Sequence, residues 1–83
     1  MRGRVPSPSR VKSVVAAVSE ITGVDPKAII GATKSPYAVT RARWECWRQL
    51  TEAGFAMNAV SKAWGCDSSS IQHAQSKGWE PSQ

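Results

Sequence analysis

Apolar residues recur three and four apart along most of the chain, and strict alternation is absent, so the pattern predicts helices rather than strands. Val11, Val14, Val15, Val18 and Ile21 form the first stripe. Ser9 precedes it as an N-cap and Gly23 follows as a stop, which predicts a helix over residues 10–22. Asp25-Pro26 reads as a cap followed by a proline at the first helical position, where a missing N–H costs nothing. One or two turns with Ile29 and Ile30 follow, and then a loop over residues 31–37, because Pro36 pushes Ser35 out of helical space. A long helix is predicted over residues 38–53, with Val39, Ala42, Cys46, Leu50 and Ala53 on one stripe, widened by Trp47 and the stem of Arg43. Gly54 stops it, and Phe55 plugs the core beside the turn. A short helix with Val60, Ala63 and Trp64 ends at Gly65. Asp67 then caps a last helix over residues 68–77, with Ile71 and Ala74 inward. Trp79 folds back on the bundle. The fold class is all-α, a small helical bundle of about five helices with short connections.

Composition narrows the function. The 83 residues are 41% hydrophobic, enough for one small globular domain and too few for a two-domain enzyme with a buried cleft. No apolar run approaches the roughly 20 residues that span a bilayer. The first ten residues, MRGRVPSPSR, have no apolar run after their charges, so no secretory signal is expected and the expected compartment is the cytoplasm. Cys46 and Cys66, in a reducing compartment, read as small buried hydrophobes. With His73 they make three strong ligands and no CxxC, short of a zinc site, so no metal is expected. Phosphate loops, dinucleotide glycine turns and paired-carboxylate spacings are all missing, so neither a cofactor nor catalysis is expected.

The net charge is +5, and its distribution matters more than its total. Residues 1–12 hold Arg2, Arg4, Arg10 and Lys12 and no acid, whereas the rest of the chain holds seven bases and six acids. Residues 1–9, with Gly3, Pro6 and Pro8, read as a flexible arm, either merely solvated or following phosphates and entering a minor groove. Residues 10–79 make the folded domain, and residues 80–83 a tail. A second basic group, Lys34, Arg41, Arg43 and Arg48, has only Glu45 opposing it. These side chains either reach DNA phosphates or form a solvated face, with Glu45 pairing Arg41 or Arg48 at helical spacing.

The string VSKAWGCDSSSIQHA, residues 60–74, has the spacing of a helix-turn-helix. Gly65 allows the sharp turn, and Ala63 is small where the helices approach. Ser68, Ser69, Gln72, His73 and Ser76 remain on the outer face, all hydrogen-bonding groups able to lie against base edges or phosphates. A packed hairpin with a solvated polar face has the same pattern. Of the four tryptophans, Trp47 and Trp64 sit near apolar stripes and read as core, while Trp44 lies partly on an outer face. His73 has no partner at catalytic spacing and reads as a DNA contact or a surface residue.

Residues 11–76 together resemble the DNA-binding C-terminal domain of the bacterial replication initiator DnaA. The matching pieces are the opening helix VKSVVAAVSEITGV, the short helix DPKAII, the loop-to-helix element KSPYAVTRARW, and WGCDSSSIQHA. In the third piece, Val39, Thr40, Arg41, Ala42 and Arg43 resemble the family's Val-Ala-Arg-Pro-Arg. In the last, Trp64-Gly65, Asp67, Ile71 and His73-Ala74 fall on the family's aromatic-Gly, Asp, Val and His-Ala. The resemblance implies a DnaA- or Trp-repressor-like helix-turn-helix that binds double-stranded DNA. It implies Arg41 in the minor groove, Asp67, Ser68 and Ser69 on major-groove bases, and Lys34 and Arg43 near phosphates. Cys66 and Ser68-Ser69-Ser70 replace the family's basic residue and His-Thr-Thr, so the same DNA box need not be recognised.

Combined with the polar face, the expected interface has Asp67, Ser68, Ser69, Gln72 and His73 in the major groove. Lys34, Ser35, Arg41, Arg43, Arg48, Lys77, Arg2 and Arg4 contact the backbone or minor groove. The expected role is a small, nucleoid-associated transcription or replication regulator, phage-related in character. The alternative is a module of the same fold that binds a polymerase or replication subunit through Trp44 and Trp79.

Overall fold

Five helices make up the fold in a computed structural model, which describes residues 5–31 and 36–81. They are α1 (Pro8–Thr22), α2 (Pro26–Ile30), α3 (Tyr37–Glu52), α4 (Met57–Trp64) and α5 (Ser68–Ser76), with no strand among the described residues. The all-α expectation holds. Helix α1 starts earlier than expected, inside the segment read as an arm. Ser7, not Ser9, is the cap: its hydroxyl accepts from the Arg10 N–H at 3.2 Å. The reason is Pro8, whose fixed φ suits the first helical position and whose missing N–H costs nothing there. Pro6 is itself buried.

Helix α3 is the axis of the domain, and each of the other four helices packs against it. Its buried side consists of Ala42, Cys46, Trp47 and Leu50. Val11, Val15 and Val18 of α1 close one flank, Ile29 of α2 another, and Val60, Trp64, Ile71 and Ala74 of the α4–α5 pair the third. Phe55 fills the turn after α3, as expected, and the Arg10 guanidinium lies 5.8 Å over its ring. Trp47 and Trp64 meet edge to face at 6.3 Å. Two stripe members depart from expectation. Ile21 is 81% exposed although Val18 before it is buried and Val24 after it packs against the core, and Ala53, just past the end of α3, is exposed.

Local chemistry sets the connections. Gly65 sits at φ +67, a left-handed conformation that costs an L side chain about 1–2 kcal/mol. It lets the Cys66 N–H return to the Ser61 carbonyl at 3.0 Å and turns the chain from α4 into α5. Asp67 occupies the cap position of α5 in extended conformation, but its side chain makes no capping bond. The expected carboxylate cap is therefore absent, and the first turn is closed by the backbone bond from Ser70 N–H to Asp67 O at 3.0 Å. Helix α5 ends at Ser76, one residue short of expectation. Gly78 and Trp79 both adopt positive φ, the Trp79 N–H closes on the Ala74 carbonyl at 2.8 Å, and the indole packs half-buried against the core.

Cys46 is fully buried, and burial pushes its thiol up to about 12, whereas Cys66 is half-buried. At pH 8 the buried thiol holds about three orders of magnitude less thiolate than an ordinary cysteine. Alkylation of the native protein followed by peptide mapping should label Cys66 and spare Cys46 until the chain is unfolded. Equal labelling of both would mean that the α3 stripe is not closed.

Candidate nucleic-acid interface

Helix α5 buries Ile71 and Ala74 and turns Ser69, Gln72 and His73 to solvent, with Ser68 half-buried. Ser69, His73 and Lys77 are four apart and share one ridge. Asp67, at the head of the helix, and Lys77, at its end, are both exposed. The Ser76 hydroxyl donates to the His73 carbonyl at 2.8 Å, so it is engaged with its own helix.

The ridge borders α3. The Trp44 ring meets His73 edge-on at 5.9 Å, and a shallow groove between the two helices is lined by Trp44, Trp47, Ser69, Ser70 and His73. Arg41 lies one helical turn before Trp44, on the same side of α3. Its side chain is 58% exposed and approaches the Glu80 carboxylate at 3.7 Å. Trp44 of α3 thus meets Ser69 and His73 of α5, and Arg41, one turn earlier on α3, meets Glu80 in the segment that follows α5.

Two other expected phosphate contacts are engaged by groups of the protein itself. Arg43 points inward. Its Nε donates to the Ile29 carbonyl at 2.9 Å, and its Nη2 to Ala28 at 3.1 Å and Gly31 at 2.6 Å. Burial lowers its guanidinium pKa from the ordinary value, partly offset by the neighbouring Cys66 and Cys46 thiols. Arg48 is held on the surface of α3 between Glu45 and Glu52: its Nε donates to Glu45 at 2.9 Å and its Nη1 to Glu52 at 2.8 Å. A second guanidinium nitrogen, Nη2, also grips Glu45. Of the two pairings open to Glu45 in the sequence, Arg48 is the partner. The geometry therefore gives Arg43 and Arg48 partners within the protein.

Lys34, Ser35, Arg2 and Arg4 lie outside the described residues. Trp44 and Trp79, expected as exposed anchors, are both half-buried and packed on the core. No three metal-ligating side chains gather among the described residues, and no described helix is long and apolar enough to cross a membrane. The Trp47 Nε1 is buried with no hydrogen-bond partner among them.

The sequence pattern puts the stem of Arg43 on the apolar stripe and Trp64 in the core, but not the carbonyl they share: like Arg43 Nε, the Trp64 Nε1 donates to the Ile29 carbonyl, at 3.1 Å. One signal bears on both. Gly31 ends α2 without left-handed geometry, at φ −60, so the last carbonyls of a five-residue helix need donors from elsewhere. No protein-family model, curated protein or solved structure matches the chain.

The hydrogen bonds from Arg48 hold the Glu45 carboxyl below the ordinary carboxylate range, against the effect of burial, with Gln49 adding a further bond at 2.9 Å. A depressed folded-state pKa gives stability that is complete above the unfolded value, about 4.3, and is lost as pH falls through the folded one. Glu45→Gln should therefore cost up to about 1 kcal/mol at pH 7, as expected for a partly exposed pair. Thermal melts of the two proteins should converge as the pH is taken below about 4. A gap that persists unchanged in acid would mean that the glutamine disturbs packing instead.

Proposed function

We propose that the chain binds double-stranded DNA with sequence preference, as a small DnaA-like helix-turn-helix regulator of transcription or replication acting at the nucleoid and phage-related in character. The observation that carries this reading is the joint surface of α5 and α3. A helix with a polar outer face follows a glycine turn, and an exposed arginine on the neighbouring helix stands beside it. In this reading α5 enters the major groove. Ser69, Gln72 and His73 offer hydrogen-bonding groups to base edges. The Asp67 carboxylate, which caps nothing, is an acceptor suited to a base amino group. Arg41 reaches the adjacent backbone or minor groove, and Lys77 holds a phosphate at the other end of the ridge. Lys34, Arg2 and Arg4 add cationic contacts from segments flanking α1 and α3.

The resemblance to the initiator domain supports the same assignment from an independent direction, because Arg41 and Asp67 are the positions it would place on DNA. Glu80 enters the picture as a competitor: its carboxylate occupies Arg41 when no phosphate does.

The intact chain should bind random duplex with Kd on the order of 10⁻⁴–10⁻⁶ M at physiological salt, weakening steeply as salt rises. A selection from random duplexes should return a preferred site. No shift at low salt, or a flat salt response, would overturn the reading and favour a protein partner of the polymerase or replication type. Arg41→Ala should weaken binding more than Lys62→Ala or Arg48→Ala and lower the salt slope by about one. Glu80→Gln, which frees Arg41 from its internal partner, should tighten binding about two- to fivefold at low salt and leave high-salt binding unchanged. Equal losses for Arg41→Ala and Lys62→Ala would mean that Arg41 is not at the interface.

A further inference from the structure

The carbonyl of Ile29 accepts from two helices at once. Arg43 Nε of α3 donates to it at 2.9 Å and Trp64 Nε1 of α4 at 3.1 Å. The Ile29 side chain is fully buried in the core below. The Nη2 of Arg43 also holds the nearby carbonyls of Ala28 and Gly31. Helix α2 is only five residues long, so these donors supply what its own backbone cannot. Gly31 leaves in extended conformation, and a Cβ there would lie 2.9 Å from the Lys27 carbonyl, so the exit from α2 tolerates no side chain without a shift.

Two segments meet at this carbonyl. The chain that leaves Gly31 leads through Lys34 into the start of α3 and Arg41. Trp64 is the last residue of α4, next to the Gly65 turn that aims α5. Along α3, Arg41 and Arg43 are two apart and so point to different sides, one outward and one inward. We infer that Arg43, together with Trp64, is a positioning residue that sets the register between the phosphate-gripping segment around Arg41 and the base-reading helix α5, acting through the Ile29 carbonyl and not through DNA. This rests on the duplex-binding reading above. A planar guanidinium fork suits such a joint, because two of its nitrogens reach carbonyls in different directions, which a lysine ammonium cannot reproduce.

The test compares wild type with Arg43→Lys, Arg43→Gln and Trp64→Phe, the last of which removes the N–H and keeps an aromatic ring. Folding is checked by circular dichroism and thermal melts. Duplex binding is measured for the selected site and for random sequence across a salt series. Arg43→Lys and Trp64→Phe, both folded at the assay temperature, should lose about tenfold in the ratio of selected-site to random affinity, the scale of one lost hydrogen bond. Arg43→Gln should leave the salt slope on random duplex unchanged, since no phosphate contact is removed. A slope lowered by about one in Arg43→Gln would make Arg43 a phosphate ligand and overturn the inference. A loss in melting temperature with discrimination intact in both Arg43→Lys and Trp64→Phe would reduce the joint to a stabilising contact and overturn it too. Failure of the wild type to bind any duplex would sink the duplex reading itself, and this inference with it.

Discussion

One buried stripe on α3 supports everything else. Ala42, Cys46, Trp47 and Leu50 form it, and all four remaining helices lie against that helix. The order of sizes along the stripe matters. Ala42 and Cys46 are small, and Trp47 and Leu50 supply bulk toward the other end. A core of this extent gives a short chain little surplus stability, so positions that touch several helices at once matter out of proportion to their number. Trp47 is one of them: it packs on Trp64 edge to face and also borders the groove beside α5.

Polar joints complete what the apolar stripe begins. Hydrophobic contact is non-directional and does not by itself fix how helices rotate against one another. Directional bonds do that. Arg43 and Trp64 both end on the Ile29 carbonyl, and the Ser19 hydroxyl donates to the Val24 carbonyl at 2.6 Å where α1 turns toward α2. Each bond closes a backbone group that a short helix or tight turn leaves open. The same logic explains why a guanidinium is tolerated half inside the protein: its hydrogen bonds offset the cost of burial.

Most of the architecture is legible in the sequence because its signals are local. Asp25-Pro26 starts α2, Gly23 and Gly65 stop α1 and α4, and the three-four spacing of Val11, Val15 and Val18 names the buried side. Where expectation and structure differ, the deciding partner is elsewhere. Ser7 and Ser9 flank Pro8 and are equal as caps until the proline takes the first helical position. Ile21 continues the stripe by spacing, but nothing in its own segment says that it stays exposed between the buried Val18 and the partly buried Val24. The candidate surface is legible in part. The outer face of α5 follows from periodicity alone. Two-residue spacing puts Arg41 and Arg43 on different sides of α3, but the carbonyls that take up the Arg43 guanidinium lie twelve to fifteen residues away in sequence, which spacing cannot reveal.

That separation changes the electrostatic argument for nucleic acid. Lys34, Arg41, Arg43 and Arg48 read as a basic cluster with a single acid among them. In the fold, Arg48 is matched by Glu45 and Glu52, and Arg43 is committed to backbone carbonyls. Arg41 stands on the surface with Glu80 near it, and Asp67 and Lys77 offset each other along α5. The described surface is thus close to charge-balanced where the duplex would lie. Counterion release scales with the number of phosphates neutralised, so a surface of this kind contributes only a shallow share of the salt dependence. On the proposed duplex-binding reading, the remaining attraction would fall to the cations outside it in sequence, Arg2, Arg4 and Lys34, and discrimination to the α5 ridge. Attraction and reading would on that proposal be divided between different segments, and a joint that fixes their relative placement would matter more to specificity than any added charge.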